Sequence, residues 1–151
     1  MTTAYLDDLH VGQQFVSGSH TVTEAEIIRF AREFDPQPFH VDVRAAADSF
    51  FQGLVASGWH TGAITMRLLV QGELQLAGGM IGGGGELTWP LATRPGDTLQ
   101  VYSEITDIRL SRSPPDRGTV TLRSETRNQH GEAVQILSAR LVVPRRSGVS
   151  S

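Results

Sequence analysis

The spacing of apolar residues along this chain changes several times, and the order of the changes predicts an architecture. After an irregular lead-in, Gln14-Phe15-Val16 and His20-Thr21-Val22 read as one or two short strands. Ile27, Phe30, Ala31 and Phe34 then recur at helical spacing, which marks an amphipathic helix. Thr23, with Glu26 three residues on, supplies a capping box at its start. Pro36 and Pro38 stop it near Phe34. Asp42 caps a second short helix running through Phe51 to Gly53. From about Trp59 to Leu76, apolar residues including Ile64, Met66, Leu68, Leu69, Val70 and Leu74 cover too wide an arc for a surface helix. That segment is expected to be a long central helix, buried nearly all round.

A glycine-rich segment from Gly78 to Gly85 breaks the helix, and the spacing switches to alternation. Glu86–Trp89 reads as a strand ending at Pro90, and Pro95-Gly96-Asp97 as a turn into a strand over Thr98–Ile105. Ser113–Gly118 is expected to be a loop before a strand over Thr119–Thr126. Asn128–Gly131 forms a hairpin turn, and Val134–Val143 is the last strand. Residues 1–146 are expected to form one domain, with Ser147–Ser151 a frayed tail. A buried helix followed by long antiparallel strands predicts an α+β fold, a curled antiparallel sheet around a central helix. The open edge of such a sheet invites pairing with a second copy.

Composition narrows the chemistry. The 151 residues contain no cysteine, which removes thiolate nucleophiles, disulfides and Cys-based metal sites. All 13 cationic side chains are Arg, so Schiff-base chemistry and Walker-type phosphate loops are excluded for want of a Lys. A net charge of −3 argues against nucleic acid as a partner. No apolar run is long enough to span a membrane, and no signal-peptide pattern opens the chain. A cytoplasmic location is expected.

The most specific chemical signal is Phe34-Asp35-Pro36-Gln37-Pro38-Phe39-His40-Val41-Asp42. Two prolines stiffen the segment between Asp35 and His40, and both residues are expected to lie outside regular helix. An acid and a histidine held on a stiff, irregular segment suit general acid/base work on a water molecule. His40, Asp42 and His60 match no standard metal-ligand spacing, so no metal is expected.

Taken together, Val22–Ile27, Asp35–Asp42, Gly53–Thr61 and Trp89-Pro90…Arg94-Pro95-Gly96-Asp97 resemble the MaoC-like dehydratase family. The resemblance runs in order over nearly the whole chain. It implies a hotdog fold, a homodimer or higher homo-oligomer, and hydration of an enoyl-CoA thioester without any cofactor beyond the CoA of the substrate. It implies that Asp35 and His40 hold the catalytic water, leaving open which is base and which delivers the proton. It also implies substrate contacts at Gly58, whose N–H would meet the thioester oxygen, with Ser57 and Gln37 beside it. A helix N-terminus suits that task, because its free N–H groups and dipole favour a developing oxyanion. Two positions depart from the family pattern: Gln37 replaces an Asn, and Ser57 a His. A helix serine is also missing at about Met66, for which Thr61 and Thr65 are the available substitutes.

Two other functions remain open on sequence. A hotdog thioesterase would need an acid on or near the central helix, where Glu73 alone stands, near its far end. A non-catalytic acyl-CoA-binding module would be expected to have lost Asp35 or His40. His60, on an apolar helix, reads as a core residue, and His10, His20 and His130 read as surface or turn residues. The glycine run at 82–85 follows a helix and precedes a strand, the reverse of a dinucleotide loop; it is read as a flexible helix-to-sheet turn or as a place of close packing beside a substrate tunnel.

Overall fold

The structure, a computed structural model, describes residues 2–112 and 116–146. The tail at 147–151 and part of the expected 113–118 loop lie outside the described residues. Strand β1 (Gln14–Thr21) leads into α1 (Glu24–Phe34), α2 (Pro38–Val41), α3 (Val43–Ala47) and α4 (Gly58–Val70). Then follow β2 (Ile81–Thr88), β3 (Thr98–Leu110), β4 (Arg117–Arg127) and β5 (Ala133–Pro144). The strands form one antiparallel sheet in the order β1-β3-β4-β5-β2.

Alternation builds the inner face of this sheet. Leu99, Val101 and Ile105 on β3, Val120 and Leu122 on β4, and Leu141 and Val143 on β5 are buried, with more exposed residues between them. Ile64, Leu68 and Leu69 of α4 join the same apolar cluster. Where α4 meets the sheet a polar pair is buried with them, Thr65 Oγ1 lying 2.6 Å from Thr126 Oγ1. A sheet curled on a central helix is the expected hotdog arrangement. Among the described residues no helix is long and apolar enough to cross a membrane.

Several expectations need correction. Helix α4 ends at Val70, not Leu76, because Gln71 caps it and Gly72, a poor helix former, follows. Leu74 and Leu76 are still buried, as extended chain. Nor is α4 buried all round: Trp59, Met66 and Val70 are exposed on its outer side. Helix α3 stops at Ala47 rather than reaching Gly53. Ser49 Oγ donates to Ala46 O at 2.6 Å and accepts from Phe51 N–H, offering the backbone a turn in place of another helical step.

The glycine run is strand, not turn. Gly82–Gly85 belong to β2, which pairs with β5 at the edge of the sheet, with a register shift between Gly82 and Gly84. Gly85 has a steric reason to be glycine. A β-carbon there would run into the Ser138 carbonyl and lie 3.0 Å from Ala139 Cα. Gly85→Ala is expected to destabilise the fold by about 1–3 kcal/mol through overpacking. A thermal melt checks this, and Gly82→Ala, with open space at the same atom, is the control.

Candidate active site

Pro36 cannot continue α1, so the chain leaves the helix at Asp35, whose own N–H still bonds back to Ala31 O at 2.8 Å. Two residues later Pro38 starts a single helical turn as its first residue, where its missing N–H costs nothing. His40 therefore lies within α2, contrary to expectation; the second proline opens a helix instead of preventing one. The turn swings His40 back toward the carboxylate, Nε2 lying 3.3 Å from Asp35 Oδ2.

Each partner is held from behind. His40 Nδ1 lies 2.7 Å from Val55 O, and a carbonyl only accepts, so Nδ1 carries the proton. In the neutral ring Nε2 then presents its lone pair on the Asp35 side. Asp35 accepts on both oxygens, from Gln37 Nε2 at 2.6 Å on Oδ1 and from Ser57 Oγ at 2.7 Å on Oδ2. Burial alone would raise the Asp35 pKa, but the bonds from Ser57 and Gln37, and the charge of His40 when that ring is protonated, outweigh it. The carboxyl is held below its ordinary value and stays ionised near neutrality.

Ser57 joins this carboxylate to the central helix. It is the N-cap of α4, and its Oγ accepts from Trp59 N–H at 3.2 Å while donating to Asp35. Gly58 follows as the first residue of α4, and among the described residues its N–H meets no acceptor. Asp35, Gln37, His40, Gly58, Thr61 and Trp89 line a cavity of ≈ 360 Å³, with Phe39, Phe51 and Val55 on its apolar wall.

The structure thus brings together all five residues singled out in the sequence, with two in unexpected contacts. Gln37 and Ser57 both spend hydrogen bonds on Asp35, so they orient the acid. Of the two threonines offered for the helix serine, Thr61 lines the cavity with its Oγ1 paired to Thr93 Oγ1 at 3.0 Å, and Thr65 is paired with Thr126 where α4 meets the sheet. His60 lies outside this cavity, stacked on Phe30 at 4.6 Å in a separate cleft between α1 and α4. Burial pushes its pKa below the ordinary histidine value. His20 is half-buried at the surface, where it bridges Glu26 at 3.0 Å and Arg67 at 2.9 Å. Sequence reasoning missed the Val55 carbonyl, which leaves no trace in residue type, and Phe51, whose loop was read as helix.

Comparison with known proteins gives the family. The family model described as MaoC like domain matches residues 9–128. The chain belongs to the MaoC-like family. A crystal structure of the MaoC-like dehydratase from Rhodospirillum rubrum is 57% identical, with a TM-score of 0.93 over 95% of this chain and 98% of that one. The (R)-hydratase from A. caviae involved in PHA biosynthesis is 27% identical, with a TM-score of 0.71 over 90% of this chain and 98% of that one. YdeM of Bacillus subtilis (strain 168), an uncharacterized protein, is 34% identical over 82% of this chain and 87% of its own. Membership supports hydratase or dehydratase chemistry at the family level.

The hold on Asp35 has a measurable consequence. Its pKa is lowered from 3.8 on folding, so its contribution to stability is full above that pH and is lost as pH falls through the folded value. Ser57→Ala removes one donor, and the Asp35 titration is expected to move upward toward 3.8. Carboxyl-carbon NMR reads the shift; an unmoved titration would show that Ser57 does not hold the charge.

Proposed function

We propose that this MaoC-like protein adds water reversibly across the 2,3 double bond of an enoyl-CoA thioester. The observation that carries this reading is the pairing of Asp35 Oδ2 and His40 Nε2, 3.3 Å apart, in a cavity that Gly58 also lines. A water bonded to both groups would sit against C3 of a thioester whose carbonyl oxygen meets Gly58. Asp35, held ionised, accepts one hydrogen bond and fixes the water. His40 Nε2 takes the other proton as the oxygen attacks C3. The resulting imidazolium is stabilised by the adjacent carboxylate, and the electron pair of the double bond passes into an enolate on the thioester. The Gly58 N–H and the helix dipole stabilise that charge. His40 then returns its proton to C2, and the same groups run the dehydration backwards. The chemistry calls for no metal or redox group, because the thioester itself acidifies C2.

The thioesterase reading has less support. Glu73 lies beyond the end of α4, outside the cavity lining, and accepts from Val16 N–H at 3.3 Å. The reading also includes a second copy of the chain, set against the open edge of β2 and the exposed Trp59, Met66 and Val70 of α4. Covering an edge strand and an apolar stripe together would remove two liabilities of the isolated chain. Sedimentation is expected to give twice the chain mass, and Met66→Glu with Val70→Glu to shift it toward the monomer.

Loss of enoyl absorbance on crotonyl-CoA tests the reaction. Asp35→Asn and His40→Ala are each expected to lower kcat by about 10²–10⁴-fold, the usual worth of a positioned acid or base. Full activity in either variant would remove the pair from the mechanism.

A further inference from the structure

From the wall of the cavity beside Gly58, we infer that Trp89, held in place by Gln135, determines specificity against substrates branched at C2. The inference rests on the hydratase reading. A β-carbon added at Gly58 would lie 2.6–2.8 Å from three atoms of the Trp89 indole, so the ring packs directly on the glycine that begins α4. Trp89 stands just past the end of β2, where no ladder hydrogen bond orients it. Its anchor is Gln135 on β5, whose Oε1 accepts from the indole Nε1 at 2.9 Å. Gln135 is wholly buried, and its Nε2 meets no partner among the described residues. A buried amide with an idle donor costs about 1–3 kcal/mol, a cost that packing of the core does not call for. The one side-chain bond of Gln135 is to Trp89, and it fixes the indole edge while the Trp59 ring, 5.2 Å away, meets Trp89 edge-to-face.

The position of the ring decides which part of a substrate it meets. With the thioester oxygen on the Gly58 N–H, the atoms nearest the indole are the thioester carbon and C2, not the far end of the acyl chain. A methyl group on C2 would compete with the indole for the space over Gly58. One methyl group in a tight pocket is worth about 10–200-fold in discrimination. Gln135 touches no substrate in this arrangement; it is a positioning residue acting through Trp89.

The test compares crotonyl-CoA with tigloyl-CoA, its 2-methyl counterpart, in wild type, Gln135→Met, Trp89→Phe and the double variant. The saturated pair butyryl-CoA and 2-methylbutyryl-CoA, measured by calorimetry, gives the same comparison without turnover. Each single variant is expected to raise the kcat/KM ratio of tigloyl to crotonyl substrate at least tenfold. The double variant is expected to add little to either, because both changes free the same ring. The Trp89 indole N–H resonance, identified as the signal lost in Trp89→Phe, is expected to shift in Gln135→Met, which a merely structural change elsewhere would not produce. Ratios that stay within twofold of wild type in both single variants overturn the inference, as does full additivity in the double variant. If no enoyl-CoA turns over, the saturated pair decides: a tenfold gain for the branched ligand upholds the wall and sinks only the hydratase reading. Unchanged relative affinity, or no binding at all, sinks the wall.

Discussion

The site depends on one hydroxyl. Ser57 Oγ accepts the Trp59 N–H at the start of the central helix and donates to Asp35 at the end of the first one. These two helix ends are 22 residues apart in sequence. In the proposed mechanism the hydroxyl registers the carboxylate that would fix water against the N–H group that would receive the oxyanion. Effective catalysis by positioning needs that distance to be preset, because small misplacements are costly. Ser57 is wholly buried, so water cannot take over its bonds.

The same contacts underlie the division of labour proposed for the acid and the histidine. A carboxylate that accepts two strong hydrogen bonds and lies near a potential cation is a weak base but a good anchor. A histidine whose Nδ1 is committed to a backbone carbonyl has one nitrogen left for the reaction, and here it faces the carboxylate. The environment pushes the two groups toward different roles, which is how neighbouring titratable residues come to be acid, base or electrostatic support. Gln37 and Ser57 both bind Asp35 and so would serve the proposed division.

What was legible in the sequence was local or periodic. The capping box of α1 forms between Thr23 and Glu26 as read, because both halves lie within one turn. Strands β3, β4 and β5 followed from alternation that one buried face imposes. Asp35 and His40 stood out because the prolines that shape their segment are themselves in the sequence. Only the end of strand β2, at Glu86–Thr88, was read; its first half stayed hidden, since a run of glycines shows neither alternation nor β-branched side chains. The outer stripe of α4 was misread for a related reason: apolar content says that a face is to be covered, not by what. The contacts of Ser57, Val55, Trp89 and Gln135 link distant segments, and no local spacing announces them.

The central claim is that water is delivered to C3 and not to the thioester carbon. The most direct measurement is mass spectrometry of the products from crotonyl-CoA in oxygen-18-labelled water. The account expects 3-hydroxybutyryl-CoA with one heavy oxygen on C3 and the thioester intact. Labelled crotonate with free CoA would contradict it.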